Sequence, residues 1–297
     1  MKEKAKANSN IKSELLSLLR QQSFSPRRSL GQNFLVDRAV FDRIIEQLNP
    51  DKKDALVEIG MGPGLLSREL AEKAGFYLGC EIDQRFASMH AEIFSDLDLN
   101  AQFLYEDALQ IDFENYSEQF AEYERLLVFS NLPYYITTDL ILKMVCSFPQ
   151  AEQMLFMLEK AALKRVLAQP STKPYGPLSI ITSLWGKWEE VMTVPAQSFE
   201  PAPHTTSSLY ALISKPESEY TDAAASCDFQ EFTKDVLGNR RKTLANALMY
   251  TKIQGEQQNS LSLSEFLNEE KLAANVRAES LTAKQFVRLY SRLVNAN

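Results

Sequence analysis

Apolar residues follow two regimes along this chain. Through the first two hundred residues, strand-length apolar runs at 55–59, 76–80, 101–105, 126–129, 154–158, 191–194 and 209–213 alternate with stretches of helical period at 65–74, 137–147 and 160–168. Beyond residue 225 the strand runs stop, and helical spacing alone remains at 229–237, 244–250, 261–267 and 283–294. Strands alternating with helices predict a mostly parallel sheet covered on both faces, so the chain reads as an α/β Rossmann-like fold followed by a small C-terminal α-helical domain. Ile11, Leu15, Leu16, Leu18 and Leu19 predict a short amphipathic helix ahead of the sheet, while residues 1–8 are polar and expected to fray. Residues 214–225, rich in Ser, Pro, Glu and Ala and without a period, read as the connection between the two parts.

Composition narrows the classes. A chain of 297 residues with 45% apolar and 10% aromatic content can build two cores. Its longest apolar runs are far below membrane-spanning length and its start is polar, with no signal-peptide core, so a cytoplasmic protein is expected. Cys80, Cys146 and Cys227 show neither paired nor metal-ligand spacing and read as reduced, mostly structural thiols. His90 and His204 are too few and too isolated for a zinc site or a triad, so no metal is expected. The net charge of −7 argues against a surface that binds nucleic acid throughout. Contacts to phosphate would have to come from local clusters, of which Arg27-Arg28 and Arg240-Arg241-Lys242 are candidates, each equally readable as a solvated face.

The candidate chemistry sits at strand ends. Residues 55–59 run into Gly60-Met61-Gly62-Pro63-Gly64 and a helix, a strand, glycine turn and helix start that suits close backbone approach to a ligand. The G-x-G-x-G spacing, with Glu58 just before it, favours a nucleoside linked to an amino acid over a pyrophosphate. The next two strands end in Glu81-Ile82-Asp83 and Glu106-Asp107-Ala108, which places carboxylates at the sheet edge where open α/β sheets bind ligands. Glu81 suits two ribose hydroxyls and Asp107 an adenine amino group, whereas Asp83 also reads as a helix cap. The fourth run ends in Ser130-Asn131-Leu132-Pro133-Tyr134-Tyr135. Pro133 pushes Leu132 away from the helical region, so an amide oxygen, a backbone carbonyl and a tyrosine face come together as acceptors and stacking surface for a planar exocyclic amine such as adenine. On Asn131 to Tyr134 alone, a helix cap at Asn131 and a core ring at Tyr134 remain open. The prolines of Phe199-Glu200-Pro201-Ala202-Pro203 hold an extended loop that suits either a pocket wall or a rigid connector.

Taken in order, these segments resemble the ribosomal RNA adenine N6-dimethyltransferase family, the KsgA-like group, from about residue 24 to residue 290. Gly31-Gln32-Asn33-Phe34-Leu35 matches the family's N-terminal cofactor motif, and residues 58–64 match its glycine loop for S-adenosylmethionine. Glu81 matches the ribose-binding acid, Asp107 the residue at the cofactor adenine, and Asn131 to Tyr134 the target-adenine motif. Residues 175–179, 199–203, 239–244 and Arg277-Ala278-Glu279 resemble its later segments, while His204 and Ala161 depart from a usual lysine and glutamate. The resemblance implies a catalytic set of Asn131, Leu132 and Tyr134 and a cofactor set of Asn33, Leu35, Gly60, Glu81, Asp107 and Asn131. It implies an extension at 1–23, a Rossmann-like methyltransferase domain at 24–214 and a helical RNA-substrate domain at 221–297. The activity implied is dimethylation of adenosines, two adjacent ones near the 3′ end, in small-subunit ribosomal RNA or an immature small subunit, by a monomer that needs no metal and no membrane. A large-subunit methylase conferring macrolide resistance, a noncatalytic assembly factor of the same fold and a methyltransferase acting on protein or a small molecule are the alternatives, and Leu132 leans toward the small-subunit enzyme.

Overall fold

The computed structural model describes residues 2–27, 30–133, 136–215, 219–252 and 256–295. Helix α1 (Lys2–Gln21) buries Ile11, Leu15 and Leu19, positions about one turn apart on one face. It begins at Lys2, so the polar opening expected to fray is helical. After β1 (Phe34–Leu35), Asp37 caps α2 (Arg38–Leu48) by accepting from the Ala39 amide. The chain then alternates through β2 (Asp54–Ile59), α3 (Leu65–Lys73), β3 (Phe76–Cys80), α4 (Ala87–Ile93), β4 (Ala101–Leu104), α5 (Ser117–Phe120) and β5 (Arg125–Asn131). It continues with α6 (Thr137–Ser147), β6 (Gln153–Glu159), α7 (Lys160–Val166), α8 (Pro177–Trp185), β7 (Gly186–Val194), β8 (Phe199–Glu200) and β9 (Ser207–Ser214).

Seven strands form one sheet in the order β4-β3-β2-β5-β6-β9-β7, parallel from β4 to β6, with β9 antiparallel to β6. Strands β2 and β3 are buried along their whole length, which is why they appear as unbroken apolar runs and not as alternations. Register at the start of β2 and β5 is fixed by Arg125, whose Nε and Nη2 donate to Asp54 Oδ1 and Oδ2 at 2.8 and 2.6 Å across the paired residues. Strand order reverses between β2 and β5, so their carboxyl ends open a crevice at the switch point. A separate pair, β1 with β8, brings Phe34 opposite Glu200 and Leu35 opposite Phe199.

By internal contacts the chain divides into two compact units: Met1–Leu140, Gln150–Ala162 and Trp188–Ile213 in one, and Ile141–Pro149, Leu163–Lys187 and Ser214–Asn297 in the other. The second contains α9 (Glu219–Ala225), α10 (Cys227–Gly238), α11 (Leu244–Leu248), α12 (Glu256–Glu269) and α13 (Ala283–Asn295). Helix α9 occupies part of the stretch read as an unstructured connection; it is too short for a period to show in the sequence. Phe229 and Phe232 meet the Tyr290 ring at 5.3 and 5.2 Å and seed this core. Cys146 on α6 is disulfide-bonded to Cys227 at the start of α10, with Cα atoms 5.9 Å apart. The expectation of three thiols is thereby corrected to one, Cys80, whose buried thiol is pushed up by desolvation.

Within the sheet unit, Glu58 on β2 is buried between α3 and β3. Its Oε1 accepts from Ser67 Oγ at 3.1 Å and its Oε2 from the Tyr77 hydroxyl at 2.7 Å. Desolvation outweighs both bonds and pushes the carboxyl up to about 7. Since the folded value lies above the ordinary 4.5, the neutral form is favoured on folding, and this stabilisation is complete below that ordinary value and lost as pH rises through about 7. Buried His90 has the opposite sign: desolvation lowers it to about 4 from 6.5, so its contribution is present above 6.5 and lost as pH falls. A Glu58→Gln comparison isolates the first effect from the second. The variant should gain up to about 3 kcal/mol relative to the parent on going from pH of about 5 to about 8, read by urea unfolding at each pH. An unchanged difference between the two pH values would show that Glu58 is ionised throughout.

Candidate active site

A cleft opens at the carboxyl edge of the sheet between the ends of β2 and β5. Its floor is the turn from β2 to α3, in which Gly60, Gly62 and Gly64 have φ of 85°, 54° and 88°. L side chains rarely occupy that left-handed region, so the turn requires glycine. Gly62 is held from β3, because its amide donates to Glu81 Oε2 at 2.8 Å, while Glu81 Oε1 accepts from the Asp83 amide at 2.9 Å. Glu81 is 6% exposed, and burial raises its carboxyl above the ordinary range against the pull of these backbone bonds.

Beside Glu81, Asp83 caps the turn Gln84–Phe86 through the Arg85 amide. It is also paired with the Arg85 guanidinium, which lies 4.2 Å from the Phe24 ring centroid, and it accepts from Gln32 Nε2 at 2.8 Å. These contacts hold its carboxyl down to about 2, with the Arg85 side chain as the main cause. Gln32 Oε1 in turn accepts from the Arg27 amide at 2.7 Å, so the turn-rich segment before β1 is fastened to the end of β3. Asp107, past the end of β4, lines the same cleft and accepts from the Leu109 amide through Oδ1 at 3.0 Å.

On the opposite side, Asn131 closes β5 and stands next to Gly60, where a Cβ, if one were added, would lie 3.8 Å from the Asn131 carbonyl oxygen. Helix α6 starts at Thr137, so Asn131 is a strand end and not the cap of that helix. Asn131 Nδ2 donates to the Asn33 carbonyl at 3.4 Å, which leaves Oδ1 as the acceptor of the side chain. Leu132, Pro133, Asn33 and Leu35 line the cleft with it, and Asn33 Nδ2 is bonded to the Gly31 carbonyl at 3.0 Å. Phe199, buried through the β1–β8 pair, completes this wall, so the F-x-P-x-P segment contributes to a pocket and is not merely a connector. Asn33, Leu35, Gly60, Glu81, Asp107, Asn131 and Leu132 thus meet in one place, and Tyr134 lies outside the described residues.

Two features escaped the sequence. His90, isolated there from any partner in spacing, is 2% exposed and bonded to the glycine turn. Arg240, read as part of a cationic surface patch, pairs with Glu279 at 2.7 Å and donates to the carbonyls of Thr172 and Lys173 inside the second unit. Arg241 and Lys242 are exposed, and the Lys242 ammonium lies 3.9 Å from the ring centroid of the exposed Tyr250. Among the described residues no group of three or more His, Cys, Asp or Glu could hold a metal ion, and no helix is long and apolar enough to cross a membrane.

The family model of ribosomal RNA adenine dimethylases matches residues 23–293. A ribosomal RNA small subunit methyltransferase A of Bacillus licheniformis is 33% identical over 277 residues, 93% of this chain and 94% of the relative. The protein of the same name from Bacillus mycoides is 34% identical over 280 residues, 93% of this chain and 94% of the relative. A dimethyladenosine transferase structure from Plasmodium falciparum superposes with a TM-score of 0.65 at 21% identity, covering 89% of this chain and 98% of that one. The 23S rRNA methyltransferase ErmE shares the fold at a TM-score of 0.54 and 21% identity, covering 88% and 100% of the two chains. With the family model spanning both the sheet and the helical unit, the chain belongs to the ribosomal RNA adenine dimethylase family and is an rRNA adenine dimethyltransferase.

Proposed function

We propose that this enzyme transfers methyl groups from S-adenosylmethionine to N6 of adenosines in small-subunit ribosomal RNA, forming N6,N6-dimethyladenosine at two adjacent positions near the 3′ end. The observation that carries this reading is the convergence of the glycine turn, Glu81, Asp107, Asn131 and Leu132 on one cleft. The names of the Bacillus relatives favour the small subunit over the large one. The site residues suit the donor. Glu81, which accepts from the Gly62 and Asp83 amides, offers its remaining acceptor capacity to ribose hydroxyls, Asp107 offers an acceptor for an adenine amino group, and the left-handed glycines let backbone approach closely. When bound, the donor supplies a methyl group already activated on a sulfonium.

The residues of the chain then have to prepare the nucleophile, because the adenine N6 lone pair is delocalised into the ring. Asn131 Oδ1 and the Leu132 carbonyl are proposed to accept the two amino protons, which favours a pyramidal nitrogen directed at the methyl. Tyr134, with Phe199 nearby in the wall, is proposed to stack on the base; such stacking contributes roughly 1–3 kcal/mol per base, and alignment adds several more. The base must leave its stack to enter. Each methyl gained at N6 leaves the donor as a thioether and is matched by loss of one amino proton to solvent, so a monomethylated nitrogen keeps one proton for an acceptor and can return for a second transfer. Residues 221–297 are proposed as the RNA-substrate domain, with Arg241 and Lys242 as its phosphate contacts and Tyr250 as an adjoining stacking surface. The enzyme would act in the cytoplasm as a monomer, on small-subunit RNA or immature small subunits.

Glu81→Ala should weaken S-adenosylmethionine binding by about 1.5–3 kcal/mol, measured by calorimetry on folded protein; unchanged affinity would remove Glu81 from the site. Arg241→Glu combined with Lys242→Glu should lower the slope of log affinity against log salt for RNA by roughly 1–2, with cofactor affinity unaltered. Arg240→Ala should instead lower the melting temperature, since it breaks an internal ion pair; a salt slope indifferent to the double reversal would make the patch a solvated face. Asn131→Ala should retain cofactor affinity and lose about 100-fold or more in methyl transfer, because its bonds matter most in the transition state. Nucleoside mass spectrometry of treated small-subunit RNA tests this and the product together. Methylation on cytosine or ribose, transfer to large-subunit RNA in its place, or full activity of Asn131→Ala would overturn the reading.

A further inference from the structure

The Gly62 peptide is held from two directions. Its amide is bonded to Glu81, and its carbonyl accepts from His90 Nε2 at 2.7 Å. These groups belong to the peptide planes on either side of the Gly62 Cα, so anchoring both fixes the two soft dihedrals of a residue that has no side chain to restrict them. Because a carbonyl can only accept, Nε2 must carry the proton. Nδ1, 3.0 Å from the Tyr105 hydroxyl, is then the acceptor of that O–H. The ring is held in place by Phe86 and Tyr105 stacked at 5.9 and 5.7 Å and by the edge of Phe94 at 6.0 Å. Its position also depends on Gly64, where a Cβ would come within 3.0 Å of His90 Cδ2. Buried as it is, the imidazole stays neutral, its value lowered to about 4, and keeps one donor and one acceptor at physiological pH.

From this geometry we infer that His90, oriented by Tyr105, is a positioning residue that sets the Gly62 turn in its cofactor-binding conformation. The inference rests on the reading of the cleft as an S-adenosylmethionine site. His90 does not touch the cleft itself, so its effect passes through the Gly62 carbonyl and falls on the donor's binding, not on the nucleophile held at Asn131.

Three variants of the full chain and one spectrum test it. His90→Leu, which keeps bulk but removes the donor, should weaken S-adenosylmethionine binding about three- to tenfold. It should raise the cofactor KM by a similar factor and leave kcat at saturating cofactor unchanged. His90→Gln places an amide nitrogen near the Nε2 position and should restore affinity to within about twofold of the parent. Tyr105→Phe should weaken binding in the same direction by a smaller factor. Nitrogen NMR of the parent protein, which has only two histidines, should show His90 with its proton on Nε2; this holds the inference to account even if His90→Leu does not fold. Parent protein that fails to bind S-adenosylmethionine would remove the cofactor reading and this inference with it. Parent binding with unchanged affinity in His90→Leu, equal losses in His90→Leu and His90→Gln, or a proton on Nδ1 would overturn the His90 assignment alone.

Discussion

A carboxylate as deeply buried as Glu81 costs several kcal/mol unless its oxygens are bonded, and the end of β3 provides those bonds from its own backbone and from the neighbouring turn. The Gly62 and Asp83 amides satisfy one lone pair on each oxygen, and in doing so they set the glycine turn against the end of β3. Gly60, Gly62 and Gly64, all at positive φ, shape the same turn whose Gly62 amide reaches Glu81.

The second constraint is the fastening of the segment before α2. Gln32 to Asp83, Arg85 over Phe24, and the β1–β8 pair hold residues 24–27 and 30–35 against the end of β3 and against β8 by polar contact, ring contact and backbone bonds at once. Through this segment Asn33 reaches Asn131, so the side chain proposed to hold the target amine is itself oriented by the segment that closes the cleft. Phe199 arrives by the same pairing, from a stretch over 160 residues further along the chain.

The helical unit divides the cations of one short run between two environments. Arg240 satisfies four acceptors within the unit, as a planar guanidinium with five donors can. Its neighbours Arg241 and Lys242 remain at the surface, Lys242 beside an exposed tyrosine ring. Adjacent residues of one cationic run thus have different physical roles.

The strands of the main sheet and most helices were legible in the order of residues alone, whereas the two-residue strands β1 and β8 were not. Parallel strands buried on both faces must be continuous apolar runs, so the places of Gly60, Glu81, Asp107 and Asn131 at the carboxyl ends of those strands followed from spacing, and the fold brings the four to one cleft. Whatever depends on partners far apart in the chain became visible only in the fold. His90 meets Gly62 across 28 residues, Arg240 meets Glu279 across 39, and Cys146 meets Cys227 across 81. No local period records those meetings. Glu58 shows the same limit, since its residue type and place on β2 were legible, but the burial that raises its carboxyl exists only once α3 and β3 have closed over it.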